Sequence, residues 1–409
     1  MALIVQKYGG SSVADVEKIK NVAKRVFNTW KKKNRVVVVV SAPGDTTDEL
    51  IDLASKISTM PEDRELDMLL ATGEQKSIAL LAMAIQALGG KAISFTGPQC
   101  GIITDPQHTR ARIKKINTVR IERELKKGNV VIAAGFQGMT HDNNITTLGR
   151  GGSDLTAVAL ASALKADLCE IYTDVSGVYT ADPRVAPAAR KLDRISYDEI
   201  LEMAGSGSQV MQARSIEVAK KFNVTIHVRS AFSNKKGTII CREVPMMEDV
   251  VVSGVSHEKD TVKLSIIGVK DRPGIAAKIF GALAASGVNV DMIVQSTAIS
   301  GINDVSFTFK HKDLKKALAV ANGVKRDLGA SSVLYDDRVG KVSIVGVGMK
   351  SHPGIAAKLF SILAAAGINI QMIATSEIRV ACIISVNEIE KAVRLIHKGF
   401  GLGKPAGKH

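Results

Sequence analysis

Lys7 stands two residues before a pair of glycines, and Tyr8, Gly9, Gly10, Ser11 and Ser12 complete a hexapeptide suited to contact with an anion. It follows the short apolar run Leu3, Ile4 and Val5 and leads into a helix-like stretch beginning at Val13. A strand, a glycine turn and a helix start together make a phosphate cradle. Glycine lets the backbone approach a ligand, the first helical amides have no internal partner, and the helix dipole favours negative charge. A Walker loop places its lysine after the glycines, in the spacing G-x-x-x-x-G-K-[ST], which this chain lacks. Read alone, the hexapeptide is either a phosphate site of another design or a plain tight turn.

Three more segments carry chemistry. Gly149, Arg150, Gly151, Gly152, Ser153 and Asp154 open a helix, with Ser153 or Asp154 suited to the N-cap. Arginine in such a loop suits bidentate recognition of a carboxylate or phosphate; the alternative is a capping turn with a solvated side chain. Glu74 follows Gly73 at the head of a helix rich in alanine and leucine, either complementing the dipole or accepting a substrate ammonium. A strand ending at Thr173 runs into a long polar loop through Asp174, Gly177, Tyr179, Asp182, Pro183 and Arg184, and loops of that length at a strand's carboxyl end usually bind.

The elements that must position these residues alternate. Strand patterns fall at 3–7, 35–41, 91–95, 130–134, 168–173 and 224–229, and helical patterns at 13–33, 48–57, 74–88 and 153–165. The expectation is an α/β fold, a mostly parallel sheet with helices on both faces and its ligands at the strands' carboxyl ends. Near Pro245, Met246 and Met247 the pattern changes, marking a boundary. Beyond it residues 271–296 and 351–376 repeat, with 15 identities in 26 positions at an offset of 80. Each copy reads strand, Pro-Gly turn, helix, strand, strand, helix, a duplicated βαββαβ module. The second copy lacks its last strand, and the orphan strand at 250–256 is expected to supply it. The predicted organisation is 1–245, then a module at 262–337 inserted within a second module of 250–258 plus 340–400, then a tail at 401–409.

A net charge of +15 invites a nucleic-acid reading, but the lysines are dispersed and aromatic residues are only 4% of the chain, too few to stack on bases. No helix-turn-helix, zinc or RNP signature appears, which leaves solvated charge that attracts polyanionic substrates. Cys100, Cys169, Cys241 and Cys382 form no C-x-x-C pair and read as reduced, mostly buried thiols. Runs such as Val36 to Val40 are too short for a bilayer, and no leader pattern precedes the first strand, so a cytoplasmic location is expected. No residues are assigned to a resident metal.

In order and combination these segments resemble the aspartate kinases of the amino-acid kinase family, over essentially the whole chain. The resemblance rests on Lys-Tyr-Gly-Gly-Ser-Ser at 7–12, Val-Ser-Ala at 40–42, Gly-Glu at 73–74, Gly-Arg-Gly-Gly-Ser-Asp at 149–154 and the run from Thr173 to Arg184. It implies that ATP, with Mg²⁺ accompanying the nucleotide, phosphorylates the side-chain carboxylate of L-aspartate. Carried over, Lys7 holds the transferring phosphoryl group, with Tyr8 and the amides of Gly9, Gly10 and Ser11 around the phosphates. Ser41 and Thr47 line the site, Thr47 on the aspartate side. Glu74 takes the substrate ammonium, Arg150 its α-carboxylate beside Gly151 and Ser153, and Asp154 orients Lys7. Thr173, Asp174, Tyr179, Asp182, Pro183, Arg184 and Gln209 form the nucleotide pocket. Gln209 stands where many relatives carry lysine, and Ser176 where aspartate is common.

The repeat resembles ACT domains, which bind small amino acids where modules pair. By resemblance Asp271, Pro273, Gly274, Ile275, Ala276, Asn289, Asp291 and Gln295 form the better effector site, and Asn369 and Ile370 belong to the second copy. There Ser351 and Gln371 replace the two aspartates, so the copies are expected to differ in ligand. The implied biology is the first step of lysine, threonine and methionine biosynthesis, inhibited by lysine or threonine. The implied partner is a second copy joined through the modules, with or without a shorter regulatory chain begun at Met246 or Met247. The competing readings are a kinase of the same fold acting on another acceptor such as acetylglutamate, an amino-acid sensor with a dead kinase domain, and the nucleic-acid binder already disfavoured.

Overall fold

The computed structural model of the chain describes residues 1–205, 211–242, 251–298 and 300–403, which divide into two units. The first holds residues 1–178, 191–204 and the described residues of 209–245. Its elements run β1 (Leu3–Tyr8), α1 (Val16–Lys31), β2 (Arg35–Val40), α2 (Thr46–Ile57), α3 (Asp63–Leu70), α4 (Thr72–Ala87), β3 (Ala92–Phe95), β4 (Ile102–Thr104) and β5 (Ile113–Ile116). They continue with α5 (Val119–Lys126), β6 (Val130–Ala134), β7 (Gln137–Met139), β8 (Ile145–Thr147), α6 (Gly152–Ala163), β9 (Leu168–Thr173), β10 (Arg194–Ser196), α7 (Tyr197–Gly205), α8 (Ala213–Phe222), β11 (Ile226–Ser230) and β12 (Thr238–Cys241).

Eight strands form one sheet in the order β10-β12-β11-β9-β1-β2-β6-β3, parallel except where β11 meets β12. The valines of β2 are wholly buried, as a strand covered on both faces requires. On one face Ile19, Val22 and Val26 of α1 and Ile78, Leu81 and Ile85 of α4 pack on Val36, Val38, Val40 and Ile132. Each such side chain contributes roughly 1.5–3 kcal/mol on burial. The helix expected at 13–33 begins at Val16. A 3-10 turn (Gly10–Ser12) comes first, and Asp15 then caps α1 by accepting from the Lys18 amide at 2.9 Å. A second sheet, β5-β4-β7-β8, was not expected, because strands of three or four residues leave no alternation to read.

Residues 63–87 form the one described helical stretch long and apolar enough to cross a membrane, yet α4 is a core helix laid against the sheet. Cys100, Cys169 and Cys382 are buried, and burial pushes the thiols of Cys100 and Cys382 up to about 12.

The second unit holds residues 179–190 and the described residues of 205–208 and 246–409. Its elements are β13 (Gly254–Lys270), α9 (Ile275–Ala285), β14 (Ile293–Gln295), β15 (Ile302–Phe309), α10 (Leu314–Leu328), β16 (Ser332–Val345), α11 (Ile355–Ala365), β17 (Met372–Thr375), β18 (Arg379–Ser385) and α12 (Ile389–Gly399). The two repeats share a single antiparallel sheet, β14-β15-β13-β16-β18-β17. The long central strands make this possible: 254–258 of β13 pair with 341–345 of β16, and 263–267 pair with 332–336, with register shifts around Thr261. In both repeats the glycine of the Pro-Gly turn caps the helix in the left-handed region, Gly274 at φ +92° and Gly354 at φ +90°, which is why glycine stands there.

Val255 is buried among Leu359, Leu363, Val393 and Ile396, residues of the second repeat. Val255→Ala removes two methyl groups, a cost of about 2 kcal/mol. Hydrogen exchange should therefore quicken in α11 and α12 and stay unchanged in α9.

Candidate active site

Side chains alternate along β1, so Lys7 projects to the face opposite Gln6 and Tyr8. Lys7 Nζ lies 2.6 Å from Asp154 Oδ1, each side chain only 12% exposed, as an ion pair rather than an aligned hydrogen bond. The sequence offered Ser153 or Asp154 as the N-cap of α6. The cap is instead Gly151, at φ +74°, and it makes no side-chain cap bond. A Cβ at Gly151 would fall 1.9 Å from Gln212 Cγ, so only glycine fits. The helix therefore begins two or three residues earlier than expected, and Asp154 becomes its third residue, where it faces Lys7.

The loops at the carboxyl ends of β1, β2 and β6 are tied together. The Ser41 amide donates to Tyr8 O at 3.1 Å, the Gly44 amide to Gly10 O at 3.0 Å, and the Gly135 amide to Val40 O at 3.0 Å. A Cβ at Gly10 would stand 2.8 Å from Ala42 O, and one at Gly135 would stand 2.7 Å from the Ser153 side chain. These glycines serve close approach between loops. A Cβ at Gly9 would stand 3.5 Å from Lys7 Nζ, so the ammonium lies over the first glycine.

Glu74 is buried in the first turn of α4, where its Oε1 accepts from the Ala42 amide at 3.0 Å and its Oε2 has no partner among the described residues. Burial raises its carboxyl from the ordinary 4.5 to about 7, opposed by the hydrogen bond from Ala42. A half-satisfied buried carboxylate is costly and points to a ligand donor. Ser41 and Thr47 are half-buried, Ser153 is buried, and Arg150 is exposed on the glycine loop.

The remaining expected site residues are more dispersed. Thr173 Oγ1 donates to Asp174 Oδ1 at 2.9 Å at the end of β9. Tyr179, Asp182, Pro183 and Arg184 belong to the second unit. Arg184 grips Asp182 through Nε and Nη2 at 3.0 and 2.8 Å, and that hydrogen bonding holds the Asp182 carboxyl below its usual range. Gln209 lies outside the described residues. Of the expected effector residues, Asp271 Oδ1 accepts from Asn303 Nδ2 at 3.3 Å, and Asn289, Gln295 and Asn369 are exposed. Pro273, Gly274, Ile275 and Ala276 form the turn and start of α9, and Ile370 precedes β17. Asp291 is already engaged: the wholly buried Lys341 donates to its Oδ2 at 2.5 Å and to Gly205 O at 3.1 Å, with Glu258 3.6 Å away.

Two anchors of the arginine loop escaped sequence reasoning. Buried Asp67 on α3 accepts from Thr147 Oγ1 at 2.5 Å, His108 Nδ1 at 2.7 Å and the Thr109 amide at 3.0 Å. Arg214 on α8 donates to Leu148 O at 2.8 Å and Ala111 O at 2.7 Å. Together they hold the chain that ends at Gly149. Their partners lie far away in sequence, and no local pattern marks them.

Comparison with known proteins bears on this geometry. A model of the amino acid kinase family matches residues 2–230, and ACT domain models match 264–325 and 342–400. The aspartokinase of Mycolicibacterium smegmatis is 51% identical over 98% of this chain and 97% of its own length. The crystal structure of aspartate kinase from Synechocystis is 42% identical with a TM-score of 0.56, covering 100% of this chain and 71% of that one. E. coli aspartokinase III, solved in complex with aspartate and ADP, shares the fold at a TM-score of 0.82 and 24% identity, over 97% and 99% of the two chains.

The raised Glu74 carboxyl makes stability depend on pH. Between 4.5 and about 7 the folded protein keeps a proton that the unfolded chain has lost, so this group's contribution is full below 4.5 and is lost as pH rises through 7. In Glu74→Gln that slope disappears. Urea midpoints measured across the interval should show the variant gaining on the parent as pH rises, by roughly 3 kcal/mol at full ionisation.

Proposed function

This chain belongs to the amino acid kinase family as an aspartokinase with two ACT domains, and from that premise we propose that Lys7, Asp154, Glu74 and Arg150 carry the transfer of a phosphoryl group from ATP to the side-chain carboxylate of L-aspartate. The observation that carries the assignment is the Lys7–Asp154 pair at the carboxyl edge of the sheet, on the same loop cluster as the unpartnered Glu74 oxygen.

The acceptor is already a nucleophile, so no general base is required. The obstacle is repulsion between a carboxylate and a polyphosphate, which cations and amide dipoles relieve. Lys7 presents its ammonium over Gly9 and neutralises charge on the transferring group, while Asp154 fixes its direction. Gly9, Gly10 and Ser11 offer amides at the start of the 3-10 turn, beside Tyr8. Thr173 and Asp174 at the end of β9 receive the rest of the nucleotide, with Gln209 by resemblance, while Tyr179, Asp182, Pro183 and Arg184, which the resemblance also names, belong to the second unit. Glu74, once ionised, accepts the α-ammonium of aspartate, Arg150 takes its α-carboxylate beside Gly151 and Ser153, and Ser41 and Thr47 line the space between. The Glu74 oxygen favours a free amino acid over acetylglutamate, which has no ammonium to offer. Mg²⁺ supplies further charge neutralisation. By resemblance the ion would accompany the nucleotide's phosphates.

The same reading extends to regulation. The ACT domains receive lysine or threonine at the Pro-Gly turns, around Asp271 and Asn289 in the first and Asn369 and Ile370 in the second, and join two copies of the chain. The setting is the cytoplasmic first step toward lysine, threonine and methionine.

Lys7→Ala is expected to lower turnover by on the order of 10²–10³, the scale of losing a transition-state donor. Arg150→Ala should raise the KM for aspartate roughly tenfold or more with a smaller change in kcat. Trapping the acyl phosphate as its hydroxamate reads both. Near-parental turnover of Lys7→Ala, or equal activity with acetylglutamate, overturns the assignment. Lysine and threonine titrated into the same assay test the regulatory part.

A further inference from the structure

The face of β1 turned away from the reacting groups carries a polar grid where a parallel sheet normally buries aliphatic side chains. Two cross-strand rows compose it: Gln6 of β1, Glu170 of β9 and His227 of β11 in one, and Tyr8, Tyr172 and Arg229 in the other. Gln6, Tyr8, Glu170 and Tyr172 are each at most 6% exposed. The Tyr8 and Tyr172 rings stack with centroids 4.6 Å apart and planes 4° from parallel. Glu170 is fully engaged. Its Oε2 accepts from Gln6 Nε2 at 2.7 Å and Tyr172 Oη at 3.1 Å, and its Oε1 from Arg229 Nη1 at 2.8 Å. The guanidinium of Arg25, from α1, lies 4.9 Å over the Tyr172 ring and donates to Ala231 O and Ser233 O at 3.3 Å each. Arg25, Glu170, Tyr172 and Arg229 line a groove of about 650 Å³ beside α1.

A buried ion pair is a poor source of stability, because well-packed apolar residues of similar volume usually serve as well or better. What the grid does supply is direction. Aromatic stacking fixes ring planes, and a bidentate, fully satisfied carboxylate fixes three strands in register. The two tyrosines are the last inward residues before the catalytic loops: Tyr8 is followed by Gly9 and Gly10, and Tyr172 by Thr173 and Asp174. Lys7 is flanked on both sides by grid members, so its backbone cannot shift without breaking either the Gln6–Glu170 bond or the ring stack.

We propose that the Tyr8–Tyr172 stack, anchored on Glu170 and Arg229, is a positioning element that sets Lys7 and the glycine turn at the correct height for the nucleotide's phosphates. Its side chains lie on the face of the sheet opposite Lys7, so Tyr8, placed beside the phosphates by resemblance, reaches them only through its backbone. The inference rests on the nucleotide being bound at that turn, and it adds that the opposite face of the sheet determines how well. The grid acts on the nucleotide side. Glu74 and Arg150, which take the aspartate, stand on α4 and on the loop before α6 and not on the three strands that carry the grid, although α4 shares the apolar cluster around Tyr8 and Tyr172.

Three variants of the full chain test this. Tyr172→Phe keeps the stack and loses the hydroxyl's two hydrogen bonds, to Glu170 and from Arg229, Tyr172→Leu loses the stack and keeps apolar bulk, and Glu170→Gln keeps the shape and removes the charge. Equilibrium dialysis with MgATP gives the nucleotide Kd whatever the acceptor proves to be, and hydroxamate assays give kcat and the KM for aspartate. Tyr172→Leu should weaken MgATP binding and lower kcat by about tenfold each, as a sub-ångström displacement does, with the KM for aspartate within about twofold of the parent. Tyr172→Phe should restore all three constants. Glu170→Gln should shift in the direction of Tyr172→Leu, and it decides the matter if the leucine variant fails to fold. A lowered Tm with unchanged Kd and kcat in Tyr172→Leu and Glu170→Gln overturns the proposal and leaves the grid as ordinary core. A parent chain that binds MgATP but does not phosphorylate aspartate refutes the acceptor assignment alone, since the dialysis still reads the grid.

Discussion

An ammonium group must be held over a glycine turn without being neutralised into uselessness, and the Lys7–Asp154 contact meets that requirement. At 2.6 Å and mostly shielded from water, the carboxylate directs Lys7, and because an ammonium has three donors, pairing with one carboxylate leaves capacity toward a third group. Much of the first unit follows from it. β1 must end at Tyr8 so that Lys7 faces α6. Gly151 must adopt a left-handed conformation so that Asp154 enters the helix at its third position. Asp67 and Arg214 must tether the loops behind Gly149 so that α6 begins where it does.

Local patterns revealed the elements, and the ordered motifs, through the resemblance they carry, revealed the chemistry, but contacts between distant segments stayed hidden. The valine run of β2, the alternation of strands and helices through residue 243 and the 80-residue repeat all follow from residue type and spacing, because burial on both faces and helical amphipathicity leave periodic traces. Lys7, Glu74 and Arg150 each had an ordinary reading beside the functional one, a tight turn, a dipole complement and a solvated arginine, and the resemblance to the aspartate kinases chose between them. Asp154 was visible in two roles, as a candidate cap from its place at a helix start and as the partner of Lys7 by resemblance, and only the first differs in the structure. Its place as a cap was reasonable from sequence alone, and the steric demand of Gln212 on Gly151, which displaced it, spans 61 residues. Glu170, Tyr172 and Arg229 looked like parts of ordinary strands, because a cross-strand grid is defined by register and leaves no periodic signal.

The second unit uses the same device for a different purpose. Its two repeats lie in one sheet because β13 and β16 are long enough to serve both, and a wholly buried lysine, Lys341, holds Asp291 and faces Glu258 at the centre. As with Glu170, a paired buried charge adds a specific cross-strand contact to a register that burial already sets. Asp291 belongs to the expected effector set, so any amino acid whose ammonium sought that carboxylate would meet Lys341 already there. The glycines that begin α9 and α11 at nearly identical left-handed angles mark the duplication in backbone geometry as plainly as the repeat does in sequence.

The account stands on Asp154 directing Lys7, and Asp154→Asn isolates that function because the amide preserves shape while removing the charge that aims the ammonium. The decisive measurement is the single-turnover rate of acyl-phosphate formation from aspartate under saturating MgATP. A fall on the order of 10²-fold, with the nucleotide Kd changed by no more than about threefold, is the result expected of lost orientation. A single-turnover rate equal to the parent's would contradict it, since Lys7 would then need no partner to act.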